Sequence, residues 1–157
     1  MRIVGIDPGL ARIGYALIVT EGNTLRCEHM GTWELSALLP RVRLTKLESL
    51  LTSFLKDVGA DRIGVERLFF SSNQRTVMAV SEARGVILLV AQKSGVPLVE
   101  LTPNEVKRAV TGDGAASKPA VAKMARWILH LKDEGGPDDT TDALAIAIAA
   151  AGPFSKG

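Results

Sequence analysis

The first third of the chain contains short apolar runs separated by turn residues, a pattern typical of β-strands. Residues 2–6 form one such run, which ends at the Asp-Pro-Gly turn of residues 7–9. Two further runs, 15–20 and 24–33, flank the Glu-Gly-Asn sequence at 21–23. This arrangement predicts a hairpin, so that three antiparallel strands open the chain.

The spacing of apolar residues then changes to that of helices. It predicts a helix over residues 40–58, which Gly59 ends, and a short strand over 62–65 followed at once by Glu66. The remaining predicted elements are a helix at 73–94 with Gly95 as its cap, a strand at 96–101, helices that open at Thr102-Pro103 and at Ser117-Lys118-Pro119, and a last helix from Asp138 to about residue 151.

Strands that are joined by helical crossovers are expected to be parallel within one sheet, with the opening hairpin antiparallel at an edge. The order of elements therefore predicts an α/β fold: a five-stranded mixed sheet flanked by helices. A chain of 157 residues has room for one such domain. We expect it to cover residues 1–151, with residues 152–157 as a C-terminal tail.

The composition excludes a disordered or fibrous chain, because 46% of the residues are hydrophobic and 23% are charged. The single cysteine, Cys27, cannot form an internal disulfide and indicates a reducing compartment. The N-terminal residues lack the pattern of a signal peptide, and the apolar runs are too short to span a bilayer. We therefore expect a cytoplasmic protein without a membrane partner.

Acidic residues stand where the predicted elements begin or end. Asp7 ends the first strand and Glu66 follows the fourth, so both emerge at one sheet edge if these strands are parallel neighbours. Either acid alone is explained equally well as a turn residue or a surface charge. Asp139 and Asp142, however, share one face of a helix that is otherwise almost entirely apolar. Two acids on a packed helix need a positive group opposite them.

Four carboxylates from three chain segments suit a hard divalent cation, Mg²⁺ or Mn²⁺. Two ions about 3.5–4 Å apart can clamp the attacking and leaving oxygens of a phosphodiester, and Asp7 is the expected bridging ligand. If the four acids bind metal, the remaining 13 acids face 19 bases, and the formal net charge of the rest of the chain is +6 instead of +2. A basic surface around an acidic pocket is what a nuclease requires.

Several short motifs, in order along about residues 1–150, resemble the RuvC family of Holliday-junction resolvases. They are Ile6-Asp7-Pro8-Gly9 with Gly14-Tyr15, Val65-Glu66 with Phe69, Ala83-Arg84-Gly85-Val86, Val106-Lys107, and Asp139 with Asp142 before Ala-Leu-Ala-Ile-Ala at 143–147. The resemblance implies a ribonuclease-H-like fold and a homodimer. It also implies nicking of paired strands at a four-way DNA junction, in recombination and repair, with Mg²⁺ or Mn²⁺ as cofactor and two ions per site. Family members act together with a branch-migration motor complex.

The resemblance also assigns roles to single residues. The catalytic and metal-binding acids are Asp7, Glu66, Asp139 and Asp142; the family's spacing excludes Asp138. The implied DNA-binding residues are Phe69, Arg75, Lys107 and Lys118, although the choice between Phe69 and Phe70 stays open. The long helix from residue 73 is the implied dimer interface, with Val77, Met78 and Val80 as its candidates.

Four alternatives differ in what they predict. A ribosomal-RNA-processing nuclease of the same fold would cleave structured RNA, and a junction-binding module would hold junctions without nicking them. Asp7, Gly9 and Gly14 also resemble the phosphate-binding turn of the sugar-kinase and actin ATPases, but those enzymes need a second such domain. A structural protein with solvated helix faces would leave Asp139 and Asp142 unexplained.

Overall fold

The computed structural model describes residues 1–9, 11–67, 74–132 and 138–152, with side chains omitted from the description at 74–76 and 138. Within these ranges the strands are β1 (Arg2–Asp7), β2 (Arg12–Glu21), β3 (Thr24–Glu34), β4 (Arg62–Glu66) and β5 (Leu98–Leu101). The helices are α1 (Pro40–Val58), α2 (Gln74–Ser94), α3 (Pro103–Thr111), α4 (Lys118–Ile128) and α5 (Asp138–Ala151).

The described strands form one five-stranded sheet in the order β3-β2-β1-β4-β5. The hairpin strands β2 and β3 are antiparallel to their neighbours, whereas β1, β4 and β5 run parallel. The predicted mixed sheet with the hairpin at one edge is thereby confirmed.

Most differences from the predicted bounds lie at strand ends. The strand predicted at 96–101 begins at Leu98, because Pro97 has no N–H to donate and contributes only its carbonyl, which accepts from the Ile63 N–H at 2.9 Å. Strand β2 begins three residues earlier than predicted, since Arg12 pairs with Glu34 across the hairpin. Periodicity alone does not reveal such ladder contacts, because exposed polar residues can extend a strand.

The helices cover both faces of the sheet. Buried residues of α1 and α2 pack on one face, and those of α3, α4 and α5 pack on the other. Helix α5 is the most deeply buried of them: every residue from Ala143 to Ala150 is buried. Its many alanines bring its backbone close to the sheet.

Glycine residues of the sheet permit this approach. A Cβ atom added at Gly5 of β1 would collide with the Ala143 carbonyl oxygen and lie 2.6 Å from the Ala147 backbone nitrogen. A Cβ at Gly64 of β4 would lie 2.7 Å from the Ala150 Cβ. The position of α5 therefore depends on the missing side chains of the two central strands.

In the part of the chain that the structure describes, no helix is long and apolar enough to cross a membrane.

We expect Gly5→Ala to lower the free energy of unfolding by about 1–3 kcal/mol, because the new methyl group meets helix backbone that no rotamer change can move. Urea unfolding of the metal-free protein measures the loss. Gly85→Ala is the matched control: Gly85 lies within α2, and a Cβ there meets nothing within 4 Å. It should leave the stability unchanged or raise it by up to about 1 kcal/mol. Equal unfolding midpoints for the two variants would contradict this account of the packing.

Candidate active site

Two acidic residues lie side by side where neighbouring parallel strands end. Asp7 is the last residue of β1 and Glu66 is the last of β4. The register pairs Ile6 with Val65, so the two acids follow at the same level of the sheet. Their carboxylates therefore emerge at one edge, as the strand pattern predicted.

Helix α5 brings two more acids to this edge. Gly14 of β2 pairs with Asp7 across the sheet, and a Cβ at Gly14 would lie 2.7 Å from the backbone carbonyl carbon of Asp139. The first turn of α5 thus rests on the backbone of Gly14, beside Asp7. Asp142 lies one turn further along the same helix face. Gly14 is therefore a positioning residue for the cluster.

The electrostatics show that the acids interact. The pKa of Asp7 is raised from 3.8 to about 7, first by burial and then by the negative charges of Asp142, Glu66 and Asp139, whereas Lys118 opposes the shift. Three acids from other elements thus lie within electrostatic reach of the Asp7 carboxylate. A cluster that suppresses its own ionisation in this way has a deficit of positive charge.

Glu66 lies in the same field. Burial raises the pKa of Glu66, and the charge of Asp142 adds to the shift, while Lys118 and Lys107 lower it. Lys107 comes from α3 and Lys118 is the first residue of α4. The two lysines singled out in the sequence are therefore placed beside the acids by two different helices.

Two basic side chains contact the acids of α5 directly. The Lys118 Nζ lies 2.7 Å from Asp142 Oδ2, and the Arg12 Nη1 lies 3.4 Å from Asp139 Oδ2. Arg12 also donates through its Nε to Glu34. Arg12 was not among the residues predicted from the sequence. The signal that could have found it is its place at the start of β2, shortly after Asp7 and across the hairpin from an acid.

The four carboxylates suit a divalent cation, because hard cations prefer carboxylate oxygens as ligands. The raised pKa of Asp7 also shows that added positive charge would be favourable. In this conformation no three acids among the described residues are arranged to hold one ion. Asp142 and Asp139 are engaged by Lys118 and Arg12 instead, so these pairs have to open if the four acids are to share metal.

The structure describes only some of the predicted DNA-binding and dimer-interface residues. Phe69 and Phe70 lie outside the described residues, and Arg75 lies in α2 without a described side chain. Met78 is 66% exposed on α2, and Val77 and Val80 are half-buried. The roles of these residues stay predictions.

The mixed five-stranded sheet flanked by helices is the ribonuclease-H-like fold, and acids at the ends of its parallel central strands are what a metal-dependent nuclease of this fold requires. The family model for crossover junction endodeoxyribonuclease RuvC matches residues 3–150, so the chain belongs to the RuvC family. Nucleases of this family are metal-dependent. The family match favours a junction nuclease over the alternatives raised from the sequence.

Relatives of known name agree with this assignment. The chain is 44% identical over 149 residues to the crossover junction endodeoxyribonuclease RuvC of Brevibacillus brevis, covering 94% of this chain and 90% of the relative. The RuvC of Desulfitobacterium hafniense strain Y51 is also 44% identical over 149 residues, with the same coverage of both chains.

Solved structures confirm the fold. Thermus thermophilus RuvC superimposes with a TM-score of 0.88 at 32% identity, covering 96% of this chain and 93% of that one. The same protein in complex with a Holliday junction substrate superimposes with a TM-score of 0.86 at 30% identity and the same coverage.

The raised pKa of Asp7 predicts how the stability of the metal-free protein depends on pH. A carboxyl group whose pKa is higher in the folded than in the unfolded chain stabilises the fold most at low pH. That contribution is lost as the pH rises from 3.8 to about 7. We expect Asp7→Asn to raise the free energy of unfolding by on the order of 2 kcal/mol at about pH 8, a figure discounted because Asp7 keeps some contact with water. The gain should be smaller at about pH 5.

Urea unfolding in a chelator at both pH values measures this difference, and millimolar Mg²⁺ should reduce it. Asp57→Asn is the control, because Asp57 is exposed on α1, on the other face of the sheet. A gain for Asp7→Asn that is equal at the two pH values, or absent at both, would show that Asp7 does not carry the repulsion.

Proposed function

We propose that this chain resolves Holliday junctions by symmetric, metal-dependent hydrolysis of phosphodiester bonds in paired DNA strands, in recombination and repair. The observation that carries the proposal is the mutual repulsion of Asp7, Glu66, Asp139 and Asp142 at one sheet edge, with Lys107 and Lys118 beside them. Family membership supports it, and T. thermophilus RuvC, 30% identical, is known in complex with a Holliday junction substrate.

The four acids are the proposed metal ligands, with Asp7 between the others as the bridging residue. The proposed cofactor is Mg²⁺ or Mn²⁺, with two ions per site. When bound, such ions lower the pKa of an attacking water and offset the charge that develops on the phosphate. The acids themselves hold this charge in a fixed place at the end of the sheet, and the burial of Asp7 strengthens their attraction for a cation.

The two lysines would hold the phosphate that is cut. The Lys118 ammonium forms an ion pair with Asp142. A cation on Asp142 would displace the ammonium, and the Lys118 side chain, which is 58% exposed, could then turn to a phosphate oxygen. Lys107 approaches Glu66 from α3 and would contact the same strand.

Other parts of the proposal follow from the family resemblance. Phe69 would stack at the junction and Arg75 would contact DNA. A homodimer through Val77, Met78 and Val80 would place two sites on two symmetry-related strands. The exposure of Met78 is consistent with such an interface. We also propose a cytoplasmic location and action with a branch-migration motor complex.

The first test is nicking of a labelled four-way DNA junction in Mg²⁺ and in Mn²⁺, with matched duplex and structured RNA as other substrates. We expect paired, symmetric nicks in the junction that Asp7→Asn abolishes while junction binding survives. Asp57→Asn is the matched control, since it removes an exposed acid far from the cluster and should nick normally.

Each other outcome selects an alternative. Preferential cleavage of the RNA would favour a ribosomal-RNA-processing nuclease. Junction binding without nicks in either metal, for a folded dimer, would favour a binding module and overturn the proposal.

If Lys118 exchanges Asp142 for a phosphate, removing its side chain should strengthen metal binding and slow cleavage. Lys118→Ala should bind Mn²⁺ about 3–10-fold more tightly, because the competing ammonium at Asp142 is gone. The same variant should cut a saturating concentration of junction about 10–100-fold more slowly, because a phosphate contact is lost. Titration calorimetry without DNA and single-turnover cleavage measure the two effects, with Lys56→Ala as control. Weaker metal binding by Lys118→Ala would show that the lysine does not compete for Asp142.

A further inference from the structure

Helix α4 carries an exposed tryptophan that the proposed active site does not use. Trp127 is 72% exposed, whereas Val121 and Ala125 of the same helix are buried. Among the described residues the ring–ring contacts join Tyr15, Trp33 and Phe54 and do not involve Trp127. Large apolar side chains left in water on an otherwise polar surface often mark contact sites, and Trp combines a broad apolar face with a polar N–H.

The surroundings of Trp127 are basic. Residues 114–132 contain no acid, and their bases are Lys118, Lys123, Arg126 and Lys132. Lys123 is exposed and stands four positions before Trp127, so the two side chains share the solvent face of α4. Arg126 is half-buried, and its Nη1 donates to the Lys132 carbonyl at 3.4 Å. Lys123 forms no ion pair with any of the described residues. An apolar ring beside such a positive charge fits a polyanion that also offers apolar surface.

Helix α4 begins beside the candidate active site. Lys118 opens α4 with its Nζ 2.7 Å from Asp142. From residue 118 to residue 127 the helix advances about 13 Å at ~1.5 Å per residue. That distance corresponds to about four base pairs at ~3.4 Å each. Lys118 stands nine positions before Trp127, so its side chain lies on the opposite side of α4, toward Asp142 of α5. A duplex arm that leaves the acid cluster along the solvent face of α4 would pass Lys123 and Trp127.

We propose that Lys123 and Trp127 form a second DNA contact, which binds the backbone of a duplex arm about four base pairs from the cut. The inference rests on the proposed function as a junction nuclease. Lys123 neutralises a phosphate, and the Trp127 ring packs on the sugars beside it. Charge complementarity, and the start of α4 beside the cleavage site, favour DNA over a protein as the occupant.

Binding of a labelled four-way junction tests the proposal at several salt concentrations, in the Asp7→Asn background so that the junction stays intact. We expect Lys123→Ala to bind about 3–10-fold more weakly, with a salt dependence reduced by about one counterion. Trp127→Ala should weaken binding by a similar factor without changing the salt dependence, because an uncharged contact releases no counterion. Trp127→Phe should recover most of the loss.

The matched control is Lys56→Ala. Lys56 is exposed on α1, which packs on the opposite face of the sheet, and its removal should leave both affinity and salt dependence unchanged. The junction should also protect Trp127 from acrylamide quenching, measured as the difference between the parent and Trp127→Phe.

Affinities of Lys123→Ala and Trp127→Ala that equal that of Lys56→Ala would overturn the proposal, and this is also the result expected if α4 docks another protein. Loss of all junction binding in the Asp7→Asn background would instead count against the proposed function. In that case, the same binding titration with plain duplex DNA still tests the contact on α4. A contact with the sugar-phosphate backbone of a duplex arm does not require a four-way junction.

Discussion

The close packing of α5 on the sheet is the constraint on which the site depends. The helix can lie against β1 and β4 because Gly5 and Gly64 carry no side chain where its backbone passes. The same approach at Gly14 places Asp139 beside the end of β1. A helix held one side-chain layer further away would leave the acids of α5 out of reach of Asp7 and Glu66. The contacts of α5 with these glycines therefore both stabilise the fold and position the acids of the site.

Close packing also concentrates negative charge in the acid cluster. Burial and three neighbouring acids raise the pKa of Asp7. Two ion pairs, Lys118 with Asp142 and Arg12 with Asp139, offset part of this negative charge. These ion pairs are partly exposed, with Arg12 at 52% and Lys118 at 58%, so they cost little to open. A cation that binds the acids would therefore displace weakly held basic partners.

Helices α3 and α4 bring basic residues to the acid cluster. Each is anchored by a side-chain cap, Thr102 with Glu105 for α3 and Ser117 for α4, which defines where the helix begins. Because Lys118 follows the cap of α4 at once, the start of this helix decides where its ammonium lies. The rest of α4 carries the basic and aromatic face away from the site, which gives a long substrate a second place to bind.

The elements themselves were predictable from the sequence, because hydrophobic period and cap residues act locally. Helix α1 has the predicted bounds, α5 starts at the predicted Asp138, and the helical crossover into β4 predicted a parallel strand. That β4 lies next to β1 was only a condition of the prediction, which the tertiary structure fulfils. The acids could be singled out for the same reason. Only the tertiary structure decided their partners: Arg12 meets Asp139 from 127 positions away, and Lys118 meets Asp142 through the packing of two helices. Such contacts, and the raised pKa of Asp7 that accompanies them, depend on distances that no local pattern encodes.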